Sequence, residues 1–326
     1  MGRVFITRAI PGTAVATLQA AGHDVDVWPG ELPPSRDDLL ARLTACDGAL
    51  TMVTDRIDAE LFAACPRLRV ISNMAVGYDN VDPAVAAAAG AWLTNTPGVL
   101  AETTADMAFA LLLAAARKVA LSDRETRGGA WRTWSPTGYL GVDAFGATLG
   151  IVGLGEIGQA MARRGRGFSM PILYAGRTRK EAAEAALGAE FVSLEDLLRR
   201  SDFVSVHTPL TPETRGLIGA AQFALMKRTA IFVNTSRGQV VDQDALVEAL
   251  RSGAIGGAGL DVTDPEPLPS AHSLFTFDNA VITPHIASAS LATRSRMAEM
   301  AAANIIAVLA GREPPNPVNR PVGLRG

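Results

Sequence analysis

Cysteine and histidine are scarce: the chain holds two cysteines, Cys46 and Cys65, and four histidines. The thiols do not form a closely spaced metal motif and no Cys/His cluster occurs, so no metal site is expected. Two isolated thiols suit a reducing compartment, not a disulfide scaffold. Long hydrophobic runs are missing too. The longest, Met107 to Ala116, falls well short of the roughly 20 residues that cross a bilayer. Neither sign of charge dominates: 30 Lys and Arg against 33 Asp and Glu leave a net −3, which argues against nucleic-acid binding. Heptads, low-complexity tracts and short-period repeats do not occur. The opening MGRVFITR reads as a strand with no signal-peptide core, so a cytoplasmic protein with no membrane partner is expected.

What is present is the composition of a globular enzyme, 48% hydrophobic and 19% charged over 326 residues, enough for two domains with separate cores. The chain is organised around Thr148 to Gly158, TLGIVGLGEIG, followed by the helix-like QAMARRGRGF. This is G-x-G-x-x-G between a strand and a helix. Gly153 permits a tight turn, Gly155 lets a pyrophosphate approach the backbone, and Gly158 lets helix and strand pack closely. The helix start, with free N–H groups and a positive dipole end, favours an anion there.

Residues 1 to about 95 alternate short β-like runs with amphipathic stretches. Strands are predicted at Val4–Thr7, Val25–Trp28, Ala49–Val53, Arg69–Asn73 and Ala91–Thr94, with helices between them. The region after the glycines repeats the alternation, with strands near Pro171–Tyr174, Val204–His207, Ala230–Asn234, Ala258–Val262 and Ala280–Ile282. Both halves predict α/β architecture: two doubly wound parallel-sheet domains. Ala101 to Ala120 reads as one long buried or interfacial helix, and Ser122 to Gly146 as a loop-rich excursion. Its Trp131, Trp134 and Tyr139 favour a homodimer interface. A last helix, from about Ser290 to Ala310, is cappable by Ser288 or Ser290 and suited to end at Gly311. It is expected to return to the first domain, so that two domains joined twice form a hinged cleft. The proline-rich tail, Glu313 to Gly326, reads as a surface strap.

The cofactor is read from the strand after the glycines, ILYAGRTRK. An acidic residue usually ends that strand and binds the ribose 2′-hydroxyl. Gly176 stands there instead, and Arg177, Arg179 and Lys180 follow. A carboxylate repels a 2′-phosphate, whereas a guanidinium binds one, so NADP(H) is expected over NAD(H).

Ligands of open α/β sheets bind beyond the carboxyl ends of the strands. Three strands of the second half end in reactive groups: AIFVN in Arg237, AGLDV in Glu266, and AVIT in His285. The trio suits reduction of a 2-oxo acid. Arg237 can hold the carboxylate and polarise the carbonyl, His285 can give it a proton, and Glu266 can pair with His285 and favour its charged form. His207, at a strand end, is expected either to touch the dinucleotide or to pack. Met52, at a strand end of the first half, is expected either in the substrate pocket or in the core. His23 is expected at an exposed turn, and His272 in a structural role.

With these residues in view, the chain resembles the D-2-hydroxyacid dehydrogenases, most nearly their NADP(H)-using glyoxylate/hydroxypyruvate reductases. The resemblance spans nearly the whole length, through AVGYDNVD at 75–82, TNTPGVLAETTADMAFALLLAAAR at 94–117, LGIVGLGEIGQAMARR at 149–164, LYAGRTRK at 173–180, VNTSRGQVVD at 233–242, GLDVTDPEPLP at 259–269 and TPHIASAS at 283–290. It implies the same catalytic trio, Arg237, Glu266 and His285. It further implies backbone N–H groups of Val76 and Gly77 on the substrate carboxylate and Thr104 near the nicotinamide. Leu154, Gly155, Glu156 and Ile157 would line the pyrophosphate, and Arg177, Thr178 and Arg179 the 2′-phosphate. Thr235, Ser236, Arg237, Asp261, His285, Ala287 and Ser288 would border the nicotinamide end. It also implies that Trp131 or Trp134 reaches a partner's active site. The expected domains are 1–99 with 288–326 for the substrate and 100–287 for the dinucleotide. A 2-ketogluconate reductase is the enzymatic alternative, and a dinucleotide-sensing, corepressor-like binding protein the alternative from another class. With no extra cation at Val76-Gly77 and no C-terminal regulatory domain, a phosphoglycerate dehydrogenase is not favoured.

Overall fold

A computed structural model describes residues 1–323. The chain divides into two compact units, Met1–Leu100 with Ala289 onward, and Ala101–Ser288.

The first unit is a five-stranded parallel sheet of β1 (Arg3–Ile6), β2 (Asp24–Val27), β3 (Gly48–Thr51), β4 (Val70–Asn73) and β5 (Trp92–Thr94), in the order β2-β1-β3-β4-β5. β3, β4 and β5 are buried along their whole lengths, as a sheet covered by helices on both faces requires. Short helices start on side-chain caps where Ser35, Asp58 and Asp82 accept the N–H of Asp38, Leu61 and Ala84, satisfying donors that the first turn leaves over. The helix Leu291–Leu309 belongs here and packs on β3, β4 and the helix Ala14–Ala20. Ser290, not Ser288, is its cap, accepting from the Thr293 N–H. The strap that follows runs against the edge strand: Val318 N donates to Leu93 O at 2.8 Å, and Leu93 N to Asn319 Oδ1 at 2.8 Å. It thereby covers backbone groups that an edge strand would leave open. The strap's last three residues lie outside the described residues.

The second unit is a seven-stranded parallel sheet. Its strands are β6 (Leu149–Val152), β7 (Ile172–Ala175), β8 (Ala189–Phe191), β9 (Phe203–Val206), β10 (Ile231–Asn234), β11 (Gly257–Leu260) and β12 (Ala280–Ile282). They are ordered β12-β11-β10-β9-β6-β7-β8. The order reverses between β6 and β9, and the carboxyl ends there form the crevice where such sheets take ligands. The helix Ala101–Ala116 lies on β10 and β11. It comes so close to β11 that a Cβ at Gly259 would sit 2.9 Å from Leu111.

Two expectations need correcting. The long helix stops at Ala116, because Lys118 takes a left-handed φ of 53°, and a second helix, Val119–Arg127, begins within the stretch expected to continue the first and runs on into the stretch expected as loop. That helix fully buries none of its residues. Good helix formers and an i,i+4 pair, Asp123 with Arg127, support it instead. The strand β8 was not foreseen: it is three residues long, sits at the edge, and pairs only with β7.

Candidate active site

The glycine turn after β6 explains its own residues. Gly153 has φ +97°, and a Cβ on it would lie 2.9 Å from the His207 carbonyl oxygen. A Cβ on Gly158 would lie 2.2 Å from the Gly153 oxygen. Neither position tolerates a side chain. At Gly155, the cap of the helix Glu156–Gly167, a Cβ would meet nothing within 4 Å. That open space in front of a helix N-terminus is where backbone N–H groups receive an anion. Leu154 is buried, Ile157 half-buried and Glu156 exposed, so this segment can meet a phosphate through its backbone. Two hydroxyls beside the crevice, Thr208 Oγ1 after β9 and Thr235 Oγ1 after β10, are buried with no hydrogen-bond partner. A buried polar group left unpaired costs about 1–3 kcal/mol, so a polar ligand reaching either hydroxyl would recover that cost. These features fit a dinucleotide.

At the end of β7 a Cβ on Gly176 would also meet open space. Residues 176 to 180 are all exposed. Arg179 is engaged: its Nε and Nη2 fork onto Glu184 at 2.9 and 2.8 Å. The buried Tyr174 hydroxyl donates to the same carboxylate at 2.5 Å and accepts from Lys180 N at 2.7 Å. Arg179 and Tyr174 hold the Glu184 carboxyl below the usual range. Arg177 makes no hydrogen bond or ion pair with any described residue. Its positive charge acts on Glu213, whose carboxyl is lowered first by the Thr211 hydroxyl and last by Arg177. Of the two guanidiniums, Arg177 is therefore the one left open.

The trio is built on three adjacent strand ends. After β10, Asn234 accepts from both the N–H and the hydroxyl of Ser236, at 2.9 and 2.8 Å, and donates to the Arg237 carbonyl at 2.9 Å. Arg237 Nη1 donates to Ser236 O at 2.8 Å. The next residue, Gly238, presses on the loop after β11: a Cβ there would lie 2.0 Å from Thr263 O. Glycine at 238 thus brings the arginine loop against the loop that carries Glu266. Glu266 Oε1 accepts from Thr263 N at 3.0 Å, and its Oε2 lies 2.9 Å from His285 Nδ1. Burial pushes the Glu266 carboxyl up. The His285 ring, the Thr263 N–H and the Arg237 charge together outweigh it, so the group sits below the usual carboxylate range.

His285 follows β12 with a left-handed φ of 54°, uncommon for a residue with a side chain. Asp261, 1% exposed, holds that backbone. His285 N donates to the Asp261 carbonyl at 2.9 Å. The Asp261 carboxylate accepts from Thr283 Oγ1, Ile286 N and Ala287 N at 2.6, 2.8 and 2.7 Å. Arg237, Glu266, His285, Asp261 and Ala287 are therefore gathered in one unit, on one rim. Ser288, half-buried, closes that unit, and Thr104 is buried in the first turn of Ala101–Ala116.

His207 sits with Nε2 2.9 Å from Ser205 Oγ, and burial lowers its pKa to about 4. Its backbone oxygen borders the glycine turn. His272 caps a single helical turn by accepting Leu274 N at 3.2 Å. His23 is half-buried, not exposed, and accepts Gly2 N at 3.2 Å. In the first unit, the backbone of Met52 is tied at both ends, its N–H to Asp55 at 2.7 Å and its carbonyl to Asn80 at 3.1 Å. Val76 and Gly77 lie on the loop after β4, each half-buried. Sequence reasoning missed Thr208, which no motif marks. Among the described residues no group of three or more His, Cys, Asp or Glu side chains is placed to hold a metal. No helix among them is long and apolar enough to cross a membrane.

Comparison with known proteins agrees with this geometry. The family model for the D-isomer specific 2-hydroxyacid dehydrogenase, NAD binding domain, matches residues 109–287. The chain is 54% identical over 321 residues to a glyoxylate reductase of Korarchaeum cryptofilum, covering 98% of this chain and 96% of that one. A solved structure from Thermus thermophilus overlays with a TM-score of 0.92 at 51% identity, covering 97% of this chain and 99% of that one. The NADPH-dependent glyoxylate/hydroxypyruvate reductase of Sinorhizobium meliloti, in complex with NADP and malonate, overlays at 0.82 with 32% identity, covering 97% and 96%.

Proposed function

The chain belongs to the D-isomer-specific 2-hydroxyacid dehydrogenases, and from that membership we propose that it reduces glyoxylate and hydroxypyruvate to glycolate and D-glycerate with NADPH. The observation that carries the reading is the 2.9 Å contact of His285 Nδ1 with Glu266, beside Arg237, at neighbouring strand ends. When bound, the reduced nicotinamide supplies a hydride to the carbonyl carbon. Arg237 holds the substrate carboxylate and polarises the neighbouring carbonyl. Glu266 occupies Nδ1 of the His285 ring, so Nε2 is the atom that gives its proton to the carbonyl oxygen. Asp261 fixes the backbone from which His285 projects. Val76 and Gly77 offer N–H groups to the carboxylate, and Met52 contributes its side chain to the substrate pocket.

Dinucleotide binding at 154–157, with Thr104, Thr235, Ser236, Asp261, Ala287 and Ser288 towards the nicotinamide, is supported by the open space at Gly155 and the two unpartnered threonine hydroxyls. NADP(H) in preference to NAD(H) is supported by the empty space at Gly176 and the open guanidinium of Arg177. The relatives named for glyoxylate reduction support the substrate class. A homodimer is supported by the exposure of Trp131, Trp134, Tyr139, Leu140 and Phe145 along one segment.

The test is oxidation of NADPH, and separately of NADH, against a panel holding glyoxylate, hydroxypyruvate and 2-ketogluconate. Fast turnover of the first two with NADPH is expected. Preference for 2-ketogluconate would reassign the substrate, and a kcat/KM favouring NADH would reverse the cofactor. Tight NADPH binding with no turnover of any 2-oxo acid would make the chain a sensor.

A further inference from the structure

Three consecutive carbonyls on the loop after β4 are all taken by donors. Ala75 O accepts from Thr96 N at 2.8 Å, Val76 O from Asn95 Nδ2 at 2.9 Å, and Gly77 O from Asn73 Nδ2 at 3.0 Å. A trans peptide points its N–H opposite to its C=O. The carbonyls of Ala75 and Val76 both face residues 95 and 96, so the N–H groups of Val76 and Gly77 share the opposite side. Neither donates to any described residue. Successive backbone N–H groups turned to one side make an anion seat, and here no side-chain cation is needed to build it.

We infer that Asn95 is a positioning residue for the substrate carboxylate: its carboxamide turns the Val76-Gly77 peptide so that two N–H groups face the acid together, while Asn73 anchors the Gly77–Tyr78 peptide that follows. The inference rests on the proposed reading of the chain as a 2-oxo acid reductase. Asn95 is itself held on both backbone ends. Its carbonyl accepts from the buried Asn304 Nδ2 at 3.3 Å, and its N–H donates to Asn316 O at 3.4 Å. Asn304 Oδ1 in turn accepts Asn316 N at 3.0 Å. Asn73 is pinned through Asn80 at 3.2 Å and the Thr51 hydroxyl at 3.3 Å. A relay of uncharged carboxamides thus runs from the helix Leu291–Leu309 to the anion seat. It fixes direction without adding charge.

The experiment is steady-state kinetics of Asn95→Ala with glyoxylate and NADPH, with oxamate as a competitive probe. Asn95 is half-buried and its side chain has one described partner, so the variant should fold. Asn73→Ala, at a fully buried position, is the second variant. The expected result is a rise of about tenfold in the KM for glyoxylate and in the Ki for oxamate, the scale of one misdirected hydrogen bond to a charged group. The KM for NADPH should stay within about twofold and kcat within about threefold. Asn95→Gln should restore part of the loss by keeping the donor. An unchanged glyoxylate KM overturns the inference while leaving the reductase intact. A joint loss of NADPH affinity also overturns it, since that marks general disruption. If the unaltered protein turns over no 2-oxo acid, the functional reading fails and takes this inference with it.

Discussion

Both units end their parallel strands in a rim of loops, yet the two rims are made of different material. The rim of the first unit is chiefly hydroxyls and carboxamides, Thr7, Thr51, Asn73, Asn80 and Asn95, together with the Arg8 guanidinium, whose Nη1 donates to Thr7 O at 2.7 Å. Its carboxylate Asp55 is buried, pushed up by that burial, and occupied by the Thr7 hydroxyl and the Met52 N–H. These side chains steer backbone. The rim of the second unit presents Arg177, Arg237, Glu266 and His285, side chains that carry charge or protons themselves. One architecture therefore supports two styles of site, one that orients main-chain donors and one that displays reactive groups. Changes in the first should alter binding and leave proton chemistry alone. Changes in the second should reach the chemistry.

The hardest blow to that contrast would come from His285. His285→Gln keeps a polar side chain but no titratable proton, so kcat should fall roughly 100- to 10,000-fold, the usual worth of a placed general acid. The KM values for glyoxylate and NADPH should move only a few-fold. A kcat near that of the unaltered protein would remove the chemical rim. Arg177→Gln comes next. The loss of an unpaired guanidinium should cut kcat/KM with NADPH by about ten- to hundredfold, the scale of a charge-assisted contact, and leave NADH unaffected. Arg179→Gln should do much less, because Glu184 already holds that guanidinium. Equal effects of the two would mean that the Glu184 pair opens on binding.

How much of this was readable depended on where the information sits. Strands buried on both faces announce themselves as apolar runs, and two parallel sheets followed from their alternation with helices. The three-residue edge strand Ala189–Phe191 carries no such run, and the helix Val119–Arg127 fully buries none of its nine residues, so neither marks itself by burial. Gly153 and Gly158 were legible because a side chain would collide there. Arg237, Glu266 and His285 were legible as polar groups at strand ends. Gly238 against Thr263, Arg179 against Glu184, and Asn95 on Val76 O were not. The first and last are tertiary meetings that no local pattern encodes, the second depends on how the turn after β7 folds back onto its helix, and the last acts through a carbonyl that any residue possesses.

The finest test concerns Glu266, where the expected change is a displaced pH profile and not a lost rate. Its carboxyl lies below the ordinary range, because His285, Thr263 and Arg237 together outweigh burial, so it is charged at neutral pH. Glu266→Gln keeps the size of the group and removes the charge. A protonated ring beside a neutral amide gives up its proton more readily. Reduction needs that proton, so the fall in kcat/KM at alkaline pH should begin earlier, with little change at the acid end. The sign for stability is separate: a carboxyl lowered in the folded state stabilises above its unfolded pKa, and the contribution is lost as pH falls through the folded value. Melting temperatures of Glu266→Gln and the unaltered protein should therefore converge on acidification. Asn95→Ala should leave the alkaline limb in place while raising the KM for glyoxylate. If both variants shifted the limb alike, proton chemistry would depend on both rims, and the division between a directing rim and a reacting one would be lost.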